Sequence, residues 1–174
     1  MLKQLNQVNT IAKNAVNRLL IVAICLLTAC EIPTHVRIAG AANPIFVLSG
    51  SGRLACFVIY AADYAEKAES PRDENVALWK ISAKEGNLNG RLWRLKRIVY
   101  GVVPEGYVQL KPQVGSYPPP LEGGKKYFFE VDTANAPGAT GYVEIRRSQA
   151  VLTDGSYPCF GGEGKKWVRV PCPP

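Results

Sequence analysis

The sequence predicts an all-β sandwich. Three observations carry this: short apolar runs with a period of two, turn residues between them every ~8–12 positions, and no sustained helical period beyond the first 29 residues. Length agrees, since 174 residues suit the usual single core of about 100–200. With 47% apolar and 20% charged residues, the composition is not that of a disordered chain. Sixteen Gly and thirteen Pro, without a Gly-X-Y period, supply turns rather than a collagen helix.

Taken in order, Pro33 and the stretch Gly40–Pro44 are turn-rich, with strands expected within His35–Ile38 and Ile45–Leu48. Ser49-Gly-Ser-Gly52 is a turn. Leu54-Ala-Cys-Phe-Val-Ile-Tyr60 has the apolar and β-branched content of a strand. Residues 61–76 hold five acids and little apolar mass. They fit equally a short helical turn over 62–69, stopped near Pro71, or a solvated loop. Ala77–Ala83 alternates, which puts Trp79 and Ile81 on one face. Glu85–Gly90 is a turn. Arg97–Val103 and Tyr107–Leu110 flank Pro104-Glu-Gly106, which reads as a hairpin. Tyr117–Gly124 is an irregular connection. Lys126–Asp132 and Gly141–Arg146 are the cleanest strands, and Ala150–Leu152 and Lys166–Val170 complete the set.

The segment Leu121-Glu-Gly-Gly-Lys-Lys-Tyr127 resembles the connection before strand F in fibronectin type III and related immunoglobulin-like domains. The resemblance implies an immunoglobulin-like or fibronectin-like β-sandwich. In it Leu121 packs under a corner, Gly123 and Gly124 make the turn, and the Tyr127 hydroxyl bonds back to the corner backbone. The Pro common in that turn is missing. Trp79 then becomes a buried aromatic between the sheets.

The first 29 residues carry Lys3, Lys13 and Arg18 and no acid. They end in the ten-residue uncharged run Leu19–Thr28, roughly 15 Å as helix. A spanning helix needs about 20 residues. A basic front, a short apolar centre and small terminal residues describe a secretory signal. Leu27-Thr28-Ala29-Cys30 resembles the lipobox of bacterial lipoproteins. The resemblance implies alkylation of the Cys30 thiol by a diacylglyceryl group, cleavage before Cys30 and acylation of the new amine. Two or more acyl chains make a stable anchor, where one alone is marginal. Cys25 does not fit, because bulky Ile24 precedes it. By the sorting rule that the resemblance implies, Asp after the modified Cys favours inner-membrane retention, and Glu31 in that place leans towards the outer membrane. The expected organisation is therefore a signal peptide over 1–29, a lipidated tether over 30–44 and a sandwich over 45–174.

The processed chain holds eighteen Lys and Arg against fourteen Asp and Glu. The pairs Lys96-Arg97, Lys125-Lys126, Arg146-Arg147 and Lys165-Lys166 are scattered, which argues against a nucleic-acid partner. Export permits disulfides. Cys159 and Cys172 enclose twelve residues with Gly161-Gly162-Glu163-Gly164 near one end. They form the preferred pair, and such a loop contributes roughly 3 kcal/mol in the chain-entropy treatment. Cys56 paired with Cys159 or with Cys172 stays open as a rival. In its apolar run Cys56 otherwise reads as a buried thiol.

No catalytic or metal-binding motif appears, and no cofactor is implied. His35 is the only His, close to the anchor and poorly placed for a catalytic base. Glu66, Glu69, Asp73 and Glu74 read as a solvated face rather than a glycosidase pair. Tyr100, Tyr107, Tyr117, Tyr142, Tyr157 and Trp93 are candidate contacts for a sugar or a protein. Pro118-Pro119-Pro120 is a stiff extended spacer. The expectation is a non-enzymatic lipoprotein. It is held by acylated Cys30 in a bilayer of the cell envelope, the outer membrane by preference, faces the periplasm, and binds or assembles with an envelope protein. An envelope glycan-binding module is the alternative, and a small carboxylate-dependent hydrolase a weaker one.

Overall fold

A computed structural model describes residues 31–40, 43–70, 72–87, 90–153, 159–161 and 168–170. The chain divides into two compact units, Met1–Cys30 and Glu31–Pro174. The described residues all belong to the second.

That unit is an all-β sandwich. Its strands are β1 (His35–Ala39), β2 (Ile45–Ser49), β3 (Arg53–Tyr60), β4 (Ala77–Ala83), β5 (Arg97–Val99) and β6 (Tyr107–Lys111), followed by β7 (Lys126–Ala134), β8 (Ala139–Arg146), β9 (Gln149–Thr153), β10 (Cys159–Gly161) and β11 (Val168–Val170). The smaller sheet has the order β1-β2-β5 and the larger β6-β4-β3-β7-β8-β9. β10 and β11 pair with each other. Helix α1 (Tyr64–Lys67) and helix α2 (Leu92–Leu95) are single turns.

The core lies between the two sheets because each contributes one alternating apolar face. Phe46 of β2 meets Phe57 of β3 at 4.8 Å and Phe129 of β7 at 5.2 Å between ring centroids. Trp79 packs edge-on against Phe57 at 5.7 Å and Tyr100 at 5.5 Å, in the T-shaped geometry that aromatic quadrupoles favour. Trp79 and Ile81 are fully buried, on the shared face that their spacing predicts.

The fibronectin-like corner is present. The Glu122 N–H donates to the Tyr127 hydroxyl oxygen at 2.7 Å, and Leu121 is buried beneath. The turn runs through Gly124 at φ 77°, where a side chain would be strained.

Two expectations change. Arg97–Val103 and Tyr107–Leu110 do not form a hairpin. β5 pairs with β2 and β6 with β4, so the chain crosses between sheets there. Gly101 at φ 79° turns it away after Tyr100, whose N–H donates to Pro44. The other concerns residues 61–76: of the two readings left open, the short helical turn forms, as α1, and the solvated loop does not. Tyr64 and Ala68 are buried with Val58, Tyr60 and Phe128 in a second apolar cluster on the outer face of the larger sheet.

The lead-in is structured from Ile32 onward, and the compact unit begins at Glu31. The Ile32 N–H donates to Ser51 Oγ at 2.9 Å, and the Ser51 N–H donates back to the Ile32 carbonyl at 3.1 Å. Pro33 crosses directly over Gly50, where an added Cβ would stand 2.8 Å from the Pro33 carbonyl oxygen.

Candidate functional site

A groove of about 440 Å³ runs beside β6, walled by Val103, Val108, Val114, Tyr117 and Lys84. β6 is one of the two edge strands of the larger sheet, β9 being the other. Alternation along Tyr107-Val-Gln-Leu-Lys111 buries Tyr107 and Gln109 and turns Val108 and Leu110 outward.

Gln109 builds one wall. Its Oε1 accepts from Trp79 Nε1 at 3.1 Å. Its Nε2 donates to the carbonyls of Ser116 at 2.7 Å and Pro112 at 3.1 Å. The loop carrying Val114 and Tyr117 is thereby fixed to the core. Tyr100, a core residue, holds the segment that follows Tyr117. Its hydroxyl donates to the Pro119 carbonyl at 2.7 Å, and burial raises its pKa, so it remains a donor. Gly101 lies against Pro118, where an added Cβ would meet the ring at 3.4 Å. Tyr117 is left 89% exposed and Val114 76% exposed.

A second, smaller cleft of about 180 Å³ lies on the outer face of the larger sheet. Register places Ser82, Cys56 and Asp132 side by side across three strands, with Lys80, Val58 and Glu130 in the next row. Arg72 reaches Glu130 at 2.6 Å and Asp132 at 3.6 Å. The two carboxylates converge, but on a guanidinium that ties the 61–76 segment to the sheet. Burial pushes the Cys56 thiol up to about 11, so it is a protonated, weakly nucleophilic group at neutral pH. Cys56 carries no disulfide.

The nominated aromatics separate. Tyr100 and Tyr107 are core residues, the Tyr107 hydroxyl donating to the Leu54 carbonyl at 3.1 Å. Tyr142 is half-buried beside Phe128. Tyr117 and Trp93 are exposed, and the Arg94 guanidinium stacks on the Trp93 ring at 5.1 Å. Tyr157 lies outside the described residues. Of the acids, Glu69 and Glu74 are exposed, whereas Asp73 is buried and accepts from the Glu69 and Asn75 N–H groups at 2.9 and 3.0 Å. The side chain of Glu66 is outside the described set. His35 is exposed at the start of β1.

Cys30 and Cys172 lie outside the described residues, and only the backbone of Cys159 is described, in β10. The expected lipidation and the expected Cys159–Cys172 bridge therefore both fall there. Among the described residues, no group of His, Cys, Asp and Glu is arranged to hold a metal ion, and no helix is long and apolar enough to cross a membrane. Gln109 and Arg72 were not nominated by sequence. The in-phase position of Gln109 between Tyr107 and the strand end is a readable signal for an inward polar side chain. Arg72 has none, since its partners are distant in the chain. No family model matches the chain, and neither a curated protein nor a solved structure does.

Proposed function

We propose that this chain is a lipid-anchored envelope protein whose sandwich binds a partner polypeptide and performs no chemistry. The observation that carries the reading is Leu27-Thr28-Ala29-Cys30 at the end of a basic, acid-free leader. The groove beside β6 supports the binding role. Its exposed apolar walls sit next to an outermost strand, where an extended segment can add main-chain hydrogen bonds while its side chains fill the groove. Confinement by the anchor raises the local concentration of the domain towards neighbours at the membrane.

A glycan-binding role is the second reading, favoured by Tyr117 alone. A ring that exposed can stack on a sugar, but the walls around it are mostly Val, with few polar groups to orient hydroxyls.

Two variants test the proposal. Cys30→Ser is expected to move the protein out of the membrane fraction and abolish labelling by radioactive palmitate. Unchanged labelling refutes the anchor. Val108→Lys places a charge in the groove and is expected to remove crosslinks to an envelope protein. Crosslinks indifferent to V108K, with peptidoglycan binding that is lost in Tyr117→Ala, would replace the assembly role with the glycan role.

A further inference from the structure

We infer that the outer face of the smaller sheet, together with the end of the sandwich where the chain enters, is a docking surface for anionic phospholipid headgroups. This rests in part on the anchoring proposed above, and its test does not.

Charge is segregated in this chain. No Asp or Glu occurs between Glu31 and Asp63, or between Glu85 and Glu105. These two segments supply β1, β2, α2 and β5, together with β3 of the larger sheet, and they hold Arg37, Arg53, Arg91, Arg94, Lys96 and Arg97, of which Arg53 opens β3. The rest of the processed chain has twelve Lys and Arg against fourteen Asp and Glu, so it is slightly acidic. The scatter of basic pairs along the sequence hides this, because strand pairing brings β1 and β2 from the first acid-free segment and β5 from the second into one sheet.

Register fixes which way the cations point. Arg37 pairs with Val47, and Val47 pairs with Arg97, so the three form one row across β1, β2 and β5. Phe46, Leu48 and Ile98 fill the core, hence the Arg37–Val47–Arg97 row faces outward. Both arginines are exposed, and among the described residues neither forms an ion pair.

The same end of the sheet gathers the remaining features. His35 lies opposite Ser49, where β2 ends. The Leu48 N–H donates to the Lys96 carbonyl at 2.8 Å, and the Leu92 N–H to the Gly52 carbonyl at 3.0 Å, which docks α2 there. Trp93 on α2 is 53% exposed and Ile32 is 57% exposed. Ile32 is pinned to Ser51 and stands two residues from Cys30. Two residues span at most about 7 Å. Acyl chains on Cys30 would therefore hold this end against the headgroups. There Trp93 and Ile32 can enter the interface, where amphipathic rings settle, and the arginines can meet phosphates. The four observations agree on one occupant, an anionic lipid surface.

The test uses the unit Glu31–Pro174 without any acyl chain. Both described core clusters lie within this unit, and its far-ultraviolet circular dichroism must first show the strand signal of the folded sandwich. Binding to phosphatidylglycerol-containing vesicles and to pure phosphatidylcholine vesicles is measured by sedimentation at low and high salt. Binding only to the anionic vesicles, weakened by salt, is expected. Each cation near such a surface is worth about a fivefold change in partition, so Arg37→Gln with Arg97→Gln should weaken binding about thirtyfold. Trp93→Ala should weaken it further. Lys111→Gln with Lys126→Gln, on the larger sheet, should leave it unchanged. Circular dichroism checks that each variant folds. Failure to bind anionic vesicles, equal binding to both kinds, or equal losses in the two double variants overturns the inference. Vesicle binding by a chain whose Cys30 proves unacylated would sustain it and remove the anchor instead.

Discussion

Trp79 Nε1 donates to Gln109 Oε1 at 3.1 Å, and through Gln109 the sandwich core holds the loop that walls the β6 groove. Both side chains are buried, so both polar ends need partners, and each satisfies the other. The loop has little apolar burial of its own, with Val114 and Tyr117 largely exposed. Its position depends on one amide.

Gln109→Leu should release residues 112–117 while the sheets remain. The buried Trp79 N–H and the loop carbonyls lose their partner, which costs about 1–3 kcal/mol. Hydrogen exchange should accelerate in that loop and remain slow in β3 and β7. Uniform acceleration across the domain would show that Gln109 supports the whole core rather than the groove.

Tyr127→Phe removes only the acceptor of the Glu122 N–H in the corner. A loss of about 1–3 kcal/mol is expected in urea unfolding, with an unchanged slope. A neutral result would mean that the corner bond holds no stability here.

Asp73→Ala should loosen the 61–76 segment. Asp73 satisfies two backbone N–H groups and is buried, so its loss costs about 1–2 kcal/mol. Trypsin should then cut after Lys67 or Arg72 faster than in the unsubstituted protein. Unchanged protection would mean that Tyr64 and the Arg72–Glu130 bridge suffice.

Alkaline pH should destabilise the fold. Burial pushes the Cys56 thiol from 9.0 to about 11 and the Tyr107 hydroxyl from 10.0 to about 12. These groups ionise earlier in the unfolded chain. Their contribution is complete below about pH 9 and lost as pH rises through the folded values. Urea midpoints should fall across that window, and less steeply in Cys56→Ala and Tyr107→Phe. Midpoints that stay level up to pH 12 would contradict the burial of both groups.

The fold was largely legible because alternation is local. Trp79 and Ile81 share a face by spacing alone, and Leu121 with Tyr127 marks the corner within seven residues. What alternation cannot carry is which strand pairs with which. Pro104-Glu-Gly106 reads as a hairpin turn, yet β5 and β6 join different sheets, because the burial of Ile98 against Phe46 decides the partner. The acid-rich segment stayed open between helical turn and loop for a similar reason. Charge outweighs Tyr64 and Ala68 in composition, but those two side chains meet an apolar patch assembled from β3 and β7. The groove and the cationic row depend on pairing between strands distant in the chain, as in Lys80 with Lys111 and Val47 with Arg97, and no local pattern encodes that.

The most direct test of the account is mass spectrometry of the amino-terminal peptide from the native protein. An N-acylated, diacylglyceryl-modified Cys30 as the first residue is the predicted result. A peptide that begins at Met1, or a Cys30 with a bare thiol, would contradict it.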